Sequence, residues 1–214
     1  MRLKLLVCEI FRREISAVIS DSPHQVDTEF LPMQLHTMGR VRMKKRLTEY
    51  LTNVDEHCYD AILLGYGLCS GGISGLSANT IPMVVPRAHD CITLFLGCRE
   101  RYQEYFFANS GTYFLTNGWL EQHHALNDDI DMMPFYNKLA FIEMGIEPDD
   151  SYGQRAQKLA EERQWDYENI TGNLSLLRRL VNGDWDDDFL IVPPGAQILL
   201  SYDDDVITYA VPSA

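Results

Sequence analysis

The chain has 214 residues, enough for one sizeable core or for a core with an extension. Hydrophobic residues make up 46% and charged residues 23%, which excludes a disordered chain, and five cysteines, an odd number, argue against a disulfide framework. The net charge of −13 is uneven and disfavours nucleic acid and anionic membranes: residues 1–119 carry 12 Lys/Arg and 12 Asp/Glu, whereas residues 120–214 carry 6 and 19.

The apolar run after Lys4 is only Leu5–Cys8, far shorter than a signal peptide requires, and no run reaches transmembrane length. The expected location is therefore the cytoplasm, where cysteines serve as free thiols, metal ligands or nucleophiles. The basic run Arg40–Arg46 is the exception to the acidic character. It is short and lacks interleaved aromatics, so it reads as the solvated face of a helix.

In chain order, Leu3–Cys8 reads as a buried strand. Ile10–Ile19 follows as a helix with Phe11, Ile15, Val18 and Ile19 on one face. Gln25–Leu31 is a second strand, and a loop containing His36 leads to a helix over Arg40–Val54. Ala61–Leu64 and Pro82–Val85 are short apolar runs without charge, the pattern of strands covered on both faces. Asp90 is a suitable N-cap for a helix over Cys91–Phe107. Tyr113–Leu115 is a fifth strand, continuing the same sheet, followed by a turn at Asn117–Trp119. Beyond Asn127–Asp131, an acidic loop, Pro134 fits the first turn of a helix that Gly145 ends. Ser151 and Gln154 predict a capping box for a helix to about Gln164, and Asn173 caps a helix over Leu174–Val181. Phe189–Val192, Gln197–Tyr202 and Val206–Val211 read as three short strands, at least two of them antiparallel. The expected architecture is a Rossmann-like parallel sheet flanked by helices in one domain, 1–214, with its βα core in 1–119 and an acidic α+β extension in 120–214.

Laid on those elements, the reactive residues fall at strand ends. Cys8 and Glu9 end the first strand, His36 follows the second, Cys69 follows the third, and His89, Asp90 and Cys91 follow the fourth. Trp119 follows the fifth. All would gather on one rim of a parallel sheet, where open α/β folds bind ligands. Thiols with imidazoles suit zinc or a similar transition metal, so Cys8, Cys69, His89, Cys91 and His36 are the candidate metal ligands. Glu9 or Asp90 would orient a ligating histidine. The bland readings are that Cys8 and Cys98 are packing residues, that Asp90 is only a cap, and that His57, Cys58, His123 and His124 lie outside any site. Cys69 has the strongest functional reading, because the flanking glycines, Gly67 and Gly71 among them, have no evident packing role and free the backbone to approach a ligand. Arg87 supplies positive charge for an anion or for Cys91.

A metal-free competitor has Cys69 or Cys91 as nucleophile and His89 as base, with Glu9 as a further catalytic candidate. A nucleotide loop fits poorly, because Gly65–Gly75 follows the third strand and leads into no long helix. Ser70 lacks the G-x-S-x-G context of a hydrolase elbow.

The runs YDAILLGYGLCSGG, IPMVVPRAHDCITLFLGCRERY and GTYFLTNGW, with VCEIFRREI and NGDWDDDFLIVPPG, resemble a family of bacterial and archaeal proteins known as domain of unknown function 1638. The resemblance implicates Cys8, Glu9, His36, Cys69, Arg87, His89, Asp90, Cys91 and Trp119. Gly67, Gly71, Arg87, Asp90 and Trp119 are the residues expected to contact a bound group. The resemblance also implies an association with corrinoid-dependent methyl transfer, with a corrinoid protein or a methyltransferase as partner; a further reading is a non-catalytic protein that binds such a partner through its acidic C-terminal lobe. Fold or association alone assigns no chemistry.

Overall fold

The computed structural model describes residues 1–122, 135–147 and 149–211. Its larger sheet is built on β1 (Arg2–Cys8), flanked by β2 (Gln25–Leu31) and β3 (Ala61–Gly65). The strand order is β2-β1-β3-β4-β8, with β4 at Met83–Pro86 and β8 at Phe189–Val192. The first four strands are parallel, and β8 closes the edge antiparallel to β4. Every residue of β3 and β4 is buried, which explains why those runs carry no alternation. The helices α1 (Arg12–Ile19) and α7 (Ser175–Asn182) pack on each other, and α7 lies against β3 and β4. The protein is thus a mixed α/β fold whose main sheet is parallel-rich and flanked by helices.

One helix expected from the sequence is two. The run after β4 forms α3 (Cys91–Leu96) and α4 (Arg99–Ala108). Gly97 adopts φ 86° and its N–H closes the last turn of α3 on the Thr93 carbonyl at 2.9 Å. A Cβ on Gly97 would come 2.7 Å from the Asn173 side chain, so the chain crosses itself there.

The second correction is larger. The fifth strand, β5 (Thr112–Thr116), does not extend the main sheet. It opens a separate parallel sheet, β5-β6-β7, with β6 at Lys138–Glu143 and β7 at Asp166–Thr171. Residues 138–143 are therefore strand where the sequence suggested helix; Pro134 and the acidic loop 127–131 lie outside the described residues. The cause is visible in β6. Leu139 and Phe141 enter a minor core with Leu115, Ala156 and Ala160, while Ala140 and Ile142 enter the main core. A strand buried on both faces has no period-2 signature, and a short apolar run cannot be told from helix by pattern. The helix α6 (Ser151–Arg163) covers this sheet. Its expected capping box is replaced by Asp149, whose carboxylate accepts the Ser151 N–H at 2.8 Å.

The C-terminal strands β9 (Gln197–Leu200) and β10 (Ile207–Ala210) form an antiparallel pair. The acidic runs beside them are largely tied down. Arg179 pairs with Asp186 and, at 2.7 Å, with Asp188, and Arg99 reaches Asp188 at 3.5 Å. Among the described residues no helix is long and apolar enough to cross a membrane.

One buried charge stands out. Glu14 of α1 is wholly buried, and neither of its carboxylate oxygens has a hydrogen-bond partner among the described residues. Burial, with the nearby charges of Glu147 and Glu121 adding, pushes its pKa from 4.5 up to about 7.

Candidate functional site

The chain leaves β1 for β2 on one side and later returns to β3 on the other. Strand order reverses at that point, so the segments leaving the carboxyl ends of β1 and β3 run to opposite sides, which is where open α/β sheets form a crevice. A cavity of about 250 Å³ lies there. Cys8, at the last position of β1, and Cys69, in the 3-10 turn Cys69–Gly71 after β3, both line it. So do His89, Asp90 and Cys91, which follow β4. His36 reaches it from the 3-10 segment Met33–Met38, and Trp119 from α5 (Asn117–Gln122). Trp119 arrives from the second sheet rather than the first. The site therefore lies where the two sheets meet.

The two loops bearing Cys69 and His89–Cys91 are laced together. The Leu68 N–H donates to the Ala88 carbonyl at 2.7 Å, and the Cys69 N–H to the His89 carbonyl at 3.1 Å. Gly67 makes this approach possible: a Cβ there would come 2.6 Å from the Asp90 backbone. Gly72 is likewise pressed on Met43, whose Sδ would lie 2.2 Å from an added Cβ. The glycines around Cys69 thus have a packing role, contrary to the sequence reading, and Gly67 and Gly71 do not line the cavity.

Cys69 itself has φ 44°, a left-handed conformation that costs a side-chain-bearing residue about 1–2 kcal/mol. Its sulfur is approached by the N–H groups of Gly67 and Cys91. We expect Cys69→Gly to be more stable than Cys69→Ala by about 1 kcal/mol, since both lose the sulfur but only glycine releases the backbone. Urea unfolding of the two variants checks this; an alanine variant equal to or above glycine would refute strain at this position.

Burial dominates the electrostatics. It pushes the Cys69 thiol up to about 12, with the charges of Asp90 and Cys8 adding, and the Cys8 thiol up to about 11. The Cys91 thiol is also raised, by burial first and then by Cys69, Asp90 and Cys8. Cys8 thus acts on Cys69, and both act on Cys91. Opposing this, the N–H groups of Ile10 and Glu9 and the Tyr66 hydroxyl lie against the Cys8 sulfur. Asp90 accepts the Ile92 N–H at 2.9 Å with one oxygen, capping α3, and the Tyr102 hydroxyl at 2.9 Å with the other. Burial raises its pKa against those donors. The cap and the cavity wall are the same carboxylate.

Ring contacts complete the walls. His36 meets Trp119 edge-on at 4.8 Å between centroids, and His89 stacks on Tyr102 at 5.8 Å. Tyr66, Tyr102, Ile10 and Phe11 also line the cavity, and the sequence reading did not single them out for it. Tyr66 sits between two glycines in the Cys69 loop, a placement that carried a usable signal. Tyr102 lies one helix beyond the Cys91 segment, and only the break at Gly97 aims it back.

Two candidates are placed elsewhere. Arg87 turns to the C-terminal hairpin, donating to the Asp205 and Ile207 carbonyls and pairing with the Asp205 carboxylate at 3.7 Å. Glu9 accepts the Met33 N–H at 2.8 Å, so it holds the start of the segment that carries His36. Cys58 is exposed beside Asp55, Cys98 marks the break before α4, and His123 and His124 lie outside the described residues. Among the described residues, no three His, Cys, Asp or Glu side chains stand as a group that could hold a metal ion in their present placement.

A family model described as "Protein of unknown function (DUF1638)" matches residues 30–181. The chain belongs to that family. The DUF1638 match includes His36, Cys69, His89, Asp90, Cys91 and Trp119 and begins after Cys8 and Glu9, which reach the same region through β1. No curated protein and no solved structure matches this DUF1638 chain.

Proposed function

We propose that the cavity captures a thiophilic transition metal, zinc or a similar ion, with Cys8, Cys69 and Cys91 as sulfur ligands and His36 or His89 completing the set. The observation that supports this is the convergence of three sulfurs, from the ends of three different strands, on one largely apolar space. Burial disfavours all three thiolates, Cys8 adds to the penalty at Cys69, and both Cys8 and Cys69 add to it at Cys91. A divalent cation removes that penalty by displacing the protons and neutralising the sulfurs. Backbone N–H groups at Cys8 and Cys69 are the outer contacts that thiolate ligands use. Since the sulfurs do not yet form a ligating group, capture draws them together by side-chain rotation.

The metal-free reading, Cys69 or Cys91 as nucleophile with His89 as base, is the weaker one. A nucleophilic cysteine needs a depressed pKa, and all three cavity thiols are shifted the other way. A metal with one open position beside the thiolates would suit alkyl transfer, and the family resemblance makes a corrinoid protein or a methyltransferase in the cytoplasm the proposed partner.

The test is to purify the chain in reducing buffer without chelator and measure bound metals. About one ion per chain is expected. Cys69→Ser and Cys91→Ser should each cut metal affinity at least tenfold, whereas Cys58→Ser, at an exposed thiol, should not. Metal content near zero in both native and reconstituted protein would end this reading.

A further inference from the structure

The acid-rich chain carries a cluster of cations at the start of one helix. Arg40, Arg42, Lys44, Lys45 and Arg46 fall in the first seven residues of α2 (Arg40–Thr52). Among the described residues, Arg46 alone of these five meets a carboxylate, that of Glu49 at 2.5 Å. Elsewhere Lys4, Arg13, Arg87, Arg99 and Arg179 each have an acidic partner. In a chain with 31 Asp/Glu to 18 Lys/Arg, unpaired cations gathered on one helix are the opposite of what composition favours. They also sit at the end of α2 where backbone N–H groups are already positive, and no acid lies in that first turn.

The glycine loop beneath is shaped around two of them. Gly71 has φ 85°, and a Cβ there would come 3.2 Å from the Arg40 side chain. Gly75 has φ 81°, and a Cβ there would come 2.3 Å from the Lys44 Nζ. Both cations thus lie along the loop, and Arg40 donates to the buried Ser74 hydroxyl at 3.4 Å. Between helix and loop runs a groove of about 560 Å³, lined by Arg40, Lys44, Lys45, Thr48 and Ser74 and also by Glu49, whose carboxylate is paired with Arg46.

We propose that this groove binds a small phosphate-bearing anion. Its cations are unpaired, and a concave space with hydroxyls among fixed cations suits a compact ligand. The net charge of −13 repels nucleic acid and anionic bilayers, which extend beyond the patch, whereas a small anion meets mainly the local cations. This site is separate from the thiol cavity and does not depend on a metal there.

The test is calorimetric titration of the full chain at low ionic strength with pyrophosphate, with orthophosphate and a phosphomonoester as parallel arms to separate inorganic from esterified sources. Saturable binding weakened by added salt is expected. Arg40→Gln with Lys45→Gln should weaken it about tenfold for each charge removed. Lys158→Gln, an exposed cation far along the chain whose side chain is 76% accessible, should change nothing. Cys91→Ser should cut metal affinity at least tenfold and leave anion binding intact, so the two readings fail separately. Lack of binding by all three anions at millimolar concentration, affinity unchanged in the double variant, or attachment to anionic vesicles in place of these small anions would overturn the proposal.

Discussion

Gly118→Ala is expected to cost about 3 kcal/mol, near the upper end of the usual penalty for overpacking. A Cβ on Gly118 would lie 2.0 Å from the Ile10 carbonyl oxygen and within 3.1 Å of the Ile10 Cα. Backbone meets backbone here, so no side-chain rotation gives way. The neighbours make the cost functional: Ile10 lines the cavity, and Trp119 is the next residue after the glycine. Separating the two segments should loosen the His36–Trp119 contact along with the fold. Gly153→Ala is the control. Its nearest neighbour would be 3.8 Å away, and it lies inside α6, so alanine should raise stability by up to about 1 kcal/mol. Urea unfolding of both variants decides the matter; equal stabilities would show that Gly118 is not held against Ile10.

The second large effect depends on pH. Glu14 titrates near 4.5 when exposed and at about 7 when folded. Its folded pKa is raised, so its contribution is intact below pH 4.5. Stability is lost as pH rises from about 4.5 to about 7, where the unfolded chain has released a proton that the folded chain still holds, and is level above that. The loss reaches about 3 kcal/mol. Glu14→Gln removes the titration while keeping shape and polarity. The variant should match the parent at pH 4 and exceed it by about 3 kcal/mol at pH 8.5. Parallel stability curves for parent and variant across that range would contradict a protonated Glu14 in the fold.

What the sequence revealed followed from local pattern. The strands β3 and β4 were legible because each is a short charge-free run closed by Gly or Pro, and β1 because its apolar run Leu5–Cys8 ends at a reactive residue. Once those were parallel neighbours, Cys8, Cys69 and Cys91 had to approach one rim. The second sheet was not legible, because β6 feeds two cores on alternate residues and β7 is largely polar at an edge. Without that sheet, Trp119 could be assigned to the right place only by the wrong route. The glycines misled for a different reason: Gly67 is explained by Asp90, which lies 23 positions away, and no local signal reports such an approach. Arg87 looked chemical because of its neighbours, yet its direction is set by β10, which arrives 120 residues later. The same applies to Glu9, whose partner is the Met33 amide.

The lacing of Leu68 and Cys69 to Ala88 and His89 divides the cavity wall unequally. On one side, main-chain bonds bind two sulfur-bearing arms into a single unit. On the other, His36 and Trp119 come from two separate segments and meet edge-on through their rings. A side-chain substitution can remove that ring contact, but none removes the main-chain bonds that keep Cys69 beside His89, so the spacing of the two sulfur-bearing arms is insulated from changes in the opposite wall.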